Sequence, residues 1–262
     1  MSVIAIVSLM ASQATTIQSP LAQTPISLLY QPKVGSSYKN TLTLTQSGQM
    51  GNTSSTSTVT TKVLSFEQGF YKLEATTSDT KITGGTGDNT EAAKAANTVM
   101  TMYMDQHFKP KFDAGSGSDD VQKLLKSMGS AFAGVTYPSG PVQIGDTWTR
   151  SIDFGELMSA IIKTQKGENS LKASGKINLT FKLVKADESA VAISSTIGGT
   201  ITMDMSETAG GMKIPMTFSG GGTSSMDRAT GIPLNSDTKM NMQMNFGGQT
   251  MDFKTEIIIR RL

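Results

Sequence analysis

Residues 171–183 read LKASGKINLTFKL, and every second position of this stretch is apolar or small. Leu171, Ile177, Leu179 and Phe181 fall on odd positions, whereas lysine, serine, asparagine and threonine fill the even ones. Side chains of a β-strand alternate between the two faces of a sheet, so this period of two predicts a long strand. We expect one of its faces to pack in a core and the other to meet water.

The same alternation continues on both sides of this stretch. The repeating segments are 191–205, 212–218, 240–246 and 251–259 toward the C-terminus, and 38–46, 55–66 and 70–82 toward the N-terminus. Short turn sequences such as Gly247-Gly248 separate them, and strands joined by short turns pair antiparallel. The sequence therefore predicts an antiparallel meander, with a bulge or bend at Gly198-Gly199 and an edge or locally unpaired position at Pro215.

Three segments in the middle of the chain have helical patterns. Residues 88–104 contain an alanine-rich run of good helix formers, residues 118–132 place apolar side chains at helical spacing, and residues 154–162 indicate a shorter helix. No charge run or long linker divides the chain, so we expect a single β-rich domain over residues 28–262. The predicted class is mainly β (α+β): a long curved antiparallel sheet or half-barrel with two or three helices on its concave face.

The N-terminus has the pattern of a secretory signal peptide. Residues 3–11 form a short apolar run that is too short to span a bilayer, and small residues follow it. We expect residues 1–14 to be removed by cleavage after Ala14, with Ala22 as a weaker second choice, and residues 15–27 to form a flexible lead. The protein is then exported, to the periplasm or beyond the cell. The alternative is a disordered leader on a cytoplasmic protein.

The composition argues against several classes of function. The 262 residues include 23 Lys plus Arg and 21 Asp plus Glu, and this near balance is not typical of a nucleic-acid-binding protein. There is no Cys, and therefore no disulfide, Cys nucleophile or Cys-ligated metal. His107 is the only histidine, which excludes a multi-histidine metal site within one chain. Because no residue takes a catalytic role, we expect a non-enzymatic protein without a cofactor or resident metal.

Methionine is the one compositional excess, with 17 residues, of which eight repeat as Met-x-Met in three segments. In a strand, residues at this spacing lie on one face. Three interpretations stay open: ordinary filling of the core, a deformable apolar cavity, or thioether ligation of Cu(I). The candidate ligand-binding residues are Met203, Met205, Met240, Met242, Met244 and Phe246.

Two sequence motifs resemble motifs of a bacterial family of exported proteins of unknown function. They are PSGPVQIGDTW at 138–148, with the pattern Pro-x-x-Pro-Val-x-x-Gly-Asp-x-Trp, and DRATGIP at 227–233. The resemblance implies export and no assigned activity, and the long strands more loosely resemble periplasmic lipoprotein carriers with an incomplete barrel. From the residues themselves, Gly145-Asp146 is predicted to form a turn and Trp148 to anchor the sheet against the helices.

These patterns favour an exported protein that binds a hydrophobic molecule, such as a lipid or acyl chain, between sheet and helices. In this hypothesis Gly220–Gly222 acts as a mobile lip. One alternative is a structural or interaction module of the cell envelope with a packed core and no small ligand. A weaker alternative is a Cu(I)-binding protein that uses the Met-x-Met strands.

Overall fold

A computed structural model of the chain describes residues 24–49, 51–84, 99–111, 135–153, 172–205 and 212–262. Within these ranges the regular structure consists of strands. They are β1 (Ser37–Gly48), β2 (Gly51–Glu67), β3 (Phe70–Gly84), β4 (Val99–Asp105), β5 (Pro110–Lys111), β6 (Thr147–Asp153), β7 (Lys172–Ala186), β8 (Ala190–Met205), β9 (Met212–Asp227), β10 (Pro233–Phe246) and β11 (Gln249–Arg261).

All of these strands belong to one antiparallel sheet. Their order is β5-β4-β3-β2-β1-β11-β10-β9-β8-β7-β6, so two meanders are joined where β1 pairs with β11. The alternating segments of the sequence become the strands of these meanders, as predicted. In the described part of the chain the sheet stays open, with β5 and β6 at its two edges.

The predicted α+β class is wrong for the residues that the structure describes, because these residues are all-β. The first predicted helix extended over Val99–Met104, which instead form β4 and pair with β3 from Phe70 to Thr76. Threonine, valine and tyrosine of this segment suit a strand, and pairing with β3 satisfies backbone groups that would otherwise stay unpaired at its edge. Residues 88–98, 118–132 and 154–162 lie outside the described ranges, as does the predicted signal peptide.

The buried core cluster lies on one face of the sheet. Val63 and Leu73 of β2 and β3 belong to this cluster, and so do Leu179 and Ile193 of β7 and β8. The core therefore extends over both meanders. We call this face of the sheet the inner face.

Two backbone segments cross one end of the sheet. The segment near residue 30 donates from Tyr30 N to Gln106 O, at 2.8 Å, and from Gln31 N to Thr230 O, also at 2.8 Å. The segment near residue 137 donates from Tyr137 N to His107 O at 2.8 Å. Because the crossing segments contact turns on both meanders, we call this end the closed end.

Aromatic side chains fill the space beneath these crossing segments. Tyr30 is fully buried, its hydroxyl lies 3.1 Å from that of Tyr38, and its ring packs edge-on against Phe108 with 4.9 Å between centroids. Tyr137 Oη donates to Gly231 O at 2.6 Å. Burial raises the pKa of Tyr30 and of Tyr137, which keeps both hydroxyls protonated as donors.

The two sequence motifs that carry the family resemblance form turns at this closed end. Asp146 Oδ2 accepts a hydrogen bond from Gln143 N at 2.8 Å, which confirms the predicted turn. Asp227 Oδ1 accepts from Thr230 N at 2.8 Å and from Thr230 Oγ1 at 2.6 Å. Trp148 stacks on Phe181 of β7 with 5.8 Å between centroids and donates from Nε1 to Thr136 O at 2.5 Å.

The β7–β8 turn makes a pH-dependent contribution to stability. Asp187 Oδ1 accepts from Ala190 N at 2.8 Å and from Ser189 N and Oγ, each at 3.0 Å. These bonds, that from Ala190 N first, lower the pKa of Asp187 from 3.8 to about 2. The pKa of Asp187 is thus lower in the folded protein than in the unfolded chain. The contribution to stability is therefore complete above the unfolded-state pKa, and it is lost as the pH falls through the folded-state pKa.

Replacing Asp187 with alanine is therefore expected to lower the melting temperature near neutral pH. The difference from the unmodified protein should shrink below about pH 4, be small at pH 2, where half of the folded carboxylate is protonated, and vanish only below that. Thermal unfolding followed by circular dichroism across this pH range measures the difference in melting temperature. The control is Glu188→Ala, a substitution at the neighbouring exposed residue. A deficit of the same size at both ends of the range would contradict the assignment.

Candidate binding site on the inner face

Apolar side chains form a continuous band across the inner face. Directly paired residues of antiparallel strands share a face, so the register shows which side chains are neighbours. One row runs through Met251, Met244, Met216 and Ile201. The next runs through Phe253, Met242, Phe218, Ile177 and Ile152, with Gly199 between Phe218 and Ile177. We call these nine side chains the apolar band.

The band is buried in its middle and half-buried toward its ends. Met216 is 6% exposed and Ile177 is fully buried. Met242 and Met244 on β10, Met251 and Phe253 on β11, and Ile152 on β6 are half-buried. The band thus has a buried floor on β7, β8 and β9 and apolar rims that water reaches.

The structure brings four of the six predicted site residues to this face. Met203, Met240, Met242 and Met244 are half-buried and pack against the buried core cluster. Met205 pairs with Met212 in the sheet, and its side chain lies outside the described part of the chain. Phe246 follows Met244 at the end of β10 and is 44% exposed, so it contributes less contact than predicted.

Seven residues of the band were not among the predicted site residues. They are Met216, Phe218, Met251, Phe253, Ile152, Ile177 and Ile201. All alternate with polar residues in their own strands, so the pattern placed them on one face of each strand. The alternation does not show how the strands pair. This pairing makes these residues neighbours of Met242 and Met244.

Polar residues bound the band on the side of β1. Phe253 pairs with Gly48, and Thr255 of β11 pairs with Gln46. Farther along the face, Leu42 and Leu44 lie opposite Ser57 and Ser55 of β2. The surface suited to an apolar molecule is thus on β6 to β11 and not on the whole inner face.

Glycines on the inner face let neighbouring strands approach each other closely. A Cβ added to Gly222 of β9 would meet Asp237 O and lie 2.8 Å from Thr238 Cα of the neighbouring strand. Gly175 of β7, with φ of +112°, is equally close to the backbone of β8 at Thr200. Both positions accept only glycine without displacement of a neighbouring strand.

The predicted mobile lip at Gly220–Gly222 is wrong. These residues lie within β9, where Gly220 pairs with Ile197 of β8 and Gly222 pairs with Thr238 of β10. Glycine in this segment serves close packing between strands, and a paired central strand is not a lip.

The described residues offer no assembled metal site of the usual ligands. No group of three His, Asp or Glu side chains within the described ranges is placed to hold a metal ion. His107 lies at the closed end, where its Nδ1 is 3.0 Å from Pro138 O.

No helix long and apolar enough to cross a membrane occurs among the residues that the structure describes.

Comparison with known proteins adds no assignment. No protein-family model matches the chain, and no curated protein matches it. The resemblance carried by residues 138–148 and 227–233 therefore stays a prediction.

Proposed function

We propose that this protein binds a hydrophobic molecule, such as a lipid or an acyl chain, on the inner face of β6 to β11. The observation that supports this is the apolar band, whose methionine rim is half-buried while its floor is buried. Unbranched methionine side chains adapt to variable apolar shapes. The methionines pack on the core cluster in the structure, and a ligand chain would take over these contacts.

Export is part of the proposal and rests on the predicted signal peptide at residues 1–14. An exported binder of this kind would hold an acyl chain away from water. It needs no catalytic residue, in line with the expectation of a non-enzymatic protein.

Native mass spectrometry of protein purified gently from an exporting host tests the proposal. We expect the polypeptide to begin after Ala14 and to carry an additional mass that a delipidated control lacks. A bare polypeptide mass, together with no uptake of added lipid by the delipidated protein, would contradict the binding function. That result would favour the envelope structural or interaction module.

One arrangement favours a second candidate, Cu(I) binding. Met216, Met244 and Met251 are direct neighbours on three adjacent strands and share the inner face. Thioether sulfur is a soft ligand that suits Cu(I). The same mass measurement distinguishes the candidates, because bound copper adds a metal mass that chelation removes and delipidation does not.

A further inference from the structure

One charged residue interrupts the apolar side chains of edge strand β6. Trp148, Arg150 and Ile152 alternate along β6 and pair with Phe181, Leu179 and Ile177 of β7. Those three partners are buried in the core. The register therefore places the Arg150 side chain on the inner face, next to the end of the apolar band at Ile152.

The guanidinium of Arg150 is only partly satisfied within the protein. Its Nη1 donates to Thr136 Oγ1 at 2.8 Å. No carboxylate of the described residues lies within 4.0 Å of it, and the nearby Asp105 accepts instead from the backbone N of His107 at 2.9 Å and of Lys109 at 2.7 Å. A guanidinium has five N–H donors, so most of its hydrogen-bonding capacity is unused by these residues.

A half-buried cation without an ion-pair partner has an electrostatic cost. Burial lowers the pKa of Arg150, and the attraction of Asp105 only partly opposes this. An oxyanion supplied from outside would remove the cost, because carboxylates and phosphates match the planar fork of the guanidinium.

We propose that Arg150 binds the anionic head group of an amphiphile whose single hydrocarbon chain lies on the apolar band. This inference rests on the proposed function and specifies its ligand: a carboxylate or phosphate joined to an acyl or alkyl chain. The charge of Arg150 complements the head group, and the band complements the chain.

The apolar band is longer than a single lipid chain. Six strands at a spacing of about 4.8 Å place β6 and β11 roughly 24 Å apart along the sheet. A lipid chain reaches about 15 Å, which is half the thickness of a bilayer core of about 30 Å. A chain anchored at Arg150 would thus cover about three strand spacings, from Ile152 over the buried floor of the band to β9.

Calorimetric titration of the delipidated protein with four compounds tests this inference. The compounds are palmitate, hexadecyl phosphate, hexadecanol and inorganic phosphate. We expect the two anionic amphiphiles to bind roughly tenfold to a hundredfold more tightly than hexadecanol, the range expected for hydrogen bonds to a charged group. Inorganic phosphate, which has the charge but no chain, should not bind measurably.

Variants at Arg150 assign the difference to one side chain. Arg150→Gln should reduce the affinity for palmitate to that for hexadecanol and leave hexadecanol binding unchanged. Arg150→Lys should retain part of the preference, because it keeps the charge and loses the planar fork. The matched control Lys182→Gln removes a cation from the exposed outer face, where Lys182 pairs with Thr147, and should change nothing.

The outcomes separate this inference from the proposed function. Equal affinities of the unmodified protein for palmitate and hexadecanol would overturn the role of Arg150 and leave hydrophobic binding intact. Tight binding of inorganic phosphate alone would overturn the amphiphile and leave an anion site. No binding of any compound would overturn both proposals. The comparison of ligands on the unmodified protein holds even if Arg150→Gln fails to fold.

Discussion

Replacing Met242 with aspartate is expected to abolish the uptake of a hydrophobic ligand. Met242 lies in the apolar band between Phe253 and Phe218, and it packs on the buried core cluster. A carboxylate there would have to be desolvated by the incoming chain, at a cost of about 3 kcal/mol, which corresponds to on the order of a hundredfold in affinity. Fluorescence titration with the neutral probe N-phenylnaphthylamine measures the loss without charge repulsion between probe and protein.

The chain offers a matched control one residue away. Asn241 lies on the same strand with an exposed side chain on the outer face, where it pairs with Lys254. Asn241→Asp adds the same charge to β10 without touching the band, and probe binding should be unchanged. Circular dichroism establishes that both variants are folded. Equal loss of binding in the two folded variants would contradict the assignment of the ligand to the inner face.

Replacing Gly222 with alanine is expected to destabilise the protein by about 2–3 kcal/mol or more, as overpacking in a core does. The added Cβ would meet the backbone of β10 at Asp237 and Thr238, and a paired backbone cannot rotate aside as a side chain does. Urea unfolding followed by circular dichroism measures the change in the free energy of unfolding. The close approach of β9 and β10 at Gly222 predicts this loss.

Gly198→Ala provides the contrast for this measurement. Gly198 lies in the adjacent strand β8, and a Cβ added there would meet no heavy atom within 4 Å. Its substitution should be neutral or stabilise the protein by about 0.4–1 kcal/mol through the unfolded chain. If Gly222→Ala were as well tolerated as Gly198→Ala, β9 and β10 would not be as close at Gly222 as described.

The strands could be predicted from the sequence because their alternation is a local property. Leu179 and Phe181 of β7 follow the predicted apolar face, and both are buried. Even Pro215 fits, since the pairing of β9 with β10 ends at Met216 and leaves Pro215 without a partner there. Each of these features depends on residues within one strand or its immediate neighbour.

The prediction failed where a distant partner determines the local structure. Val99–Met104 followed an alanine-rich run, and intrinsic propensity extended the helix into them. Pairing with β3, more than twenty residues away, makes them a strand. In the same way, the union of β1 with β11 follows from no local pattern, although it sets the order of the whole sheet.

The candidate site was predictable in composition and not in arrangement. The Met-x-Met repeat on β10 correctly indicated one apolar face, because strand geometry alone determines it. Arg150 was missed, although the alternation of Trp148, Arg150 and Ile152 places a charge among apolar residues. That signal becomes meaningful only when the partners of β6 show that this face is the inner one.

The central position of β11 has a consequence for the kinetics of folding. The meanders β1–β5 and β6–β11 can each assemble from nearby strands, but joining them requires β1 to pair with β11, as Asn40 does with Arg261. Such long-range closure has a high entropic barrier, and sheets of high contact order fold slowly. Until β1 and β11 pair, each presents an unpaired edge, and in this period the chain is most prone to aggregate or to need a chaperone.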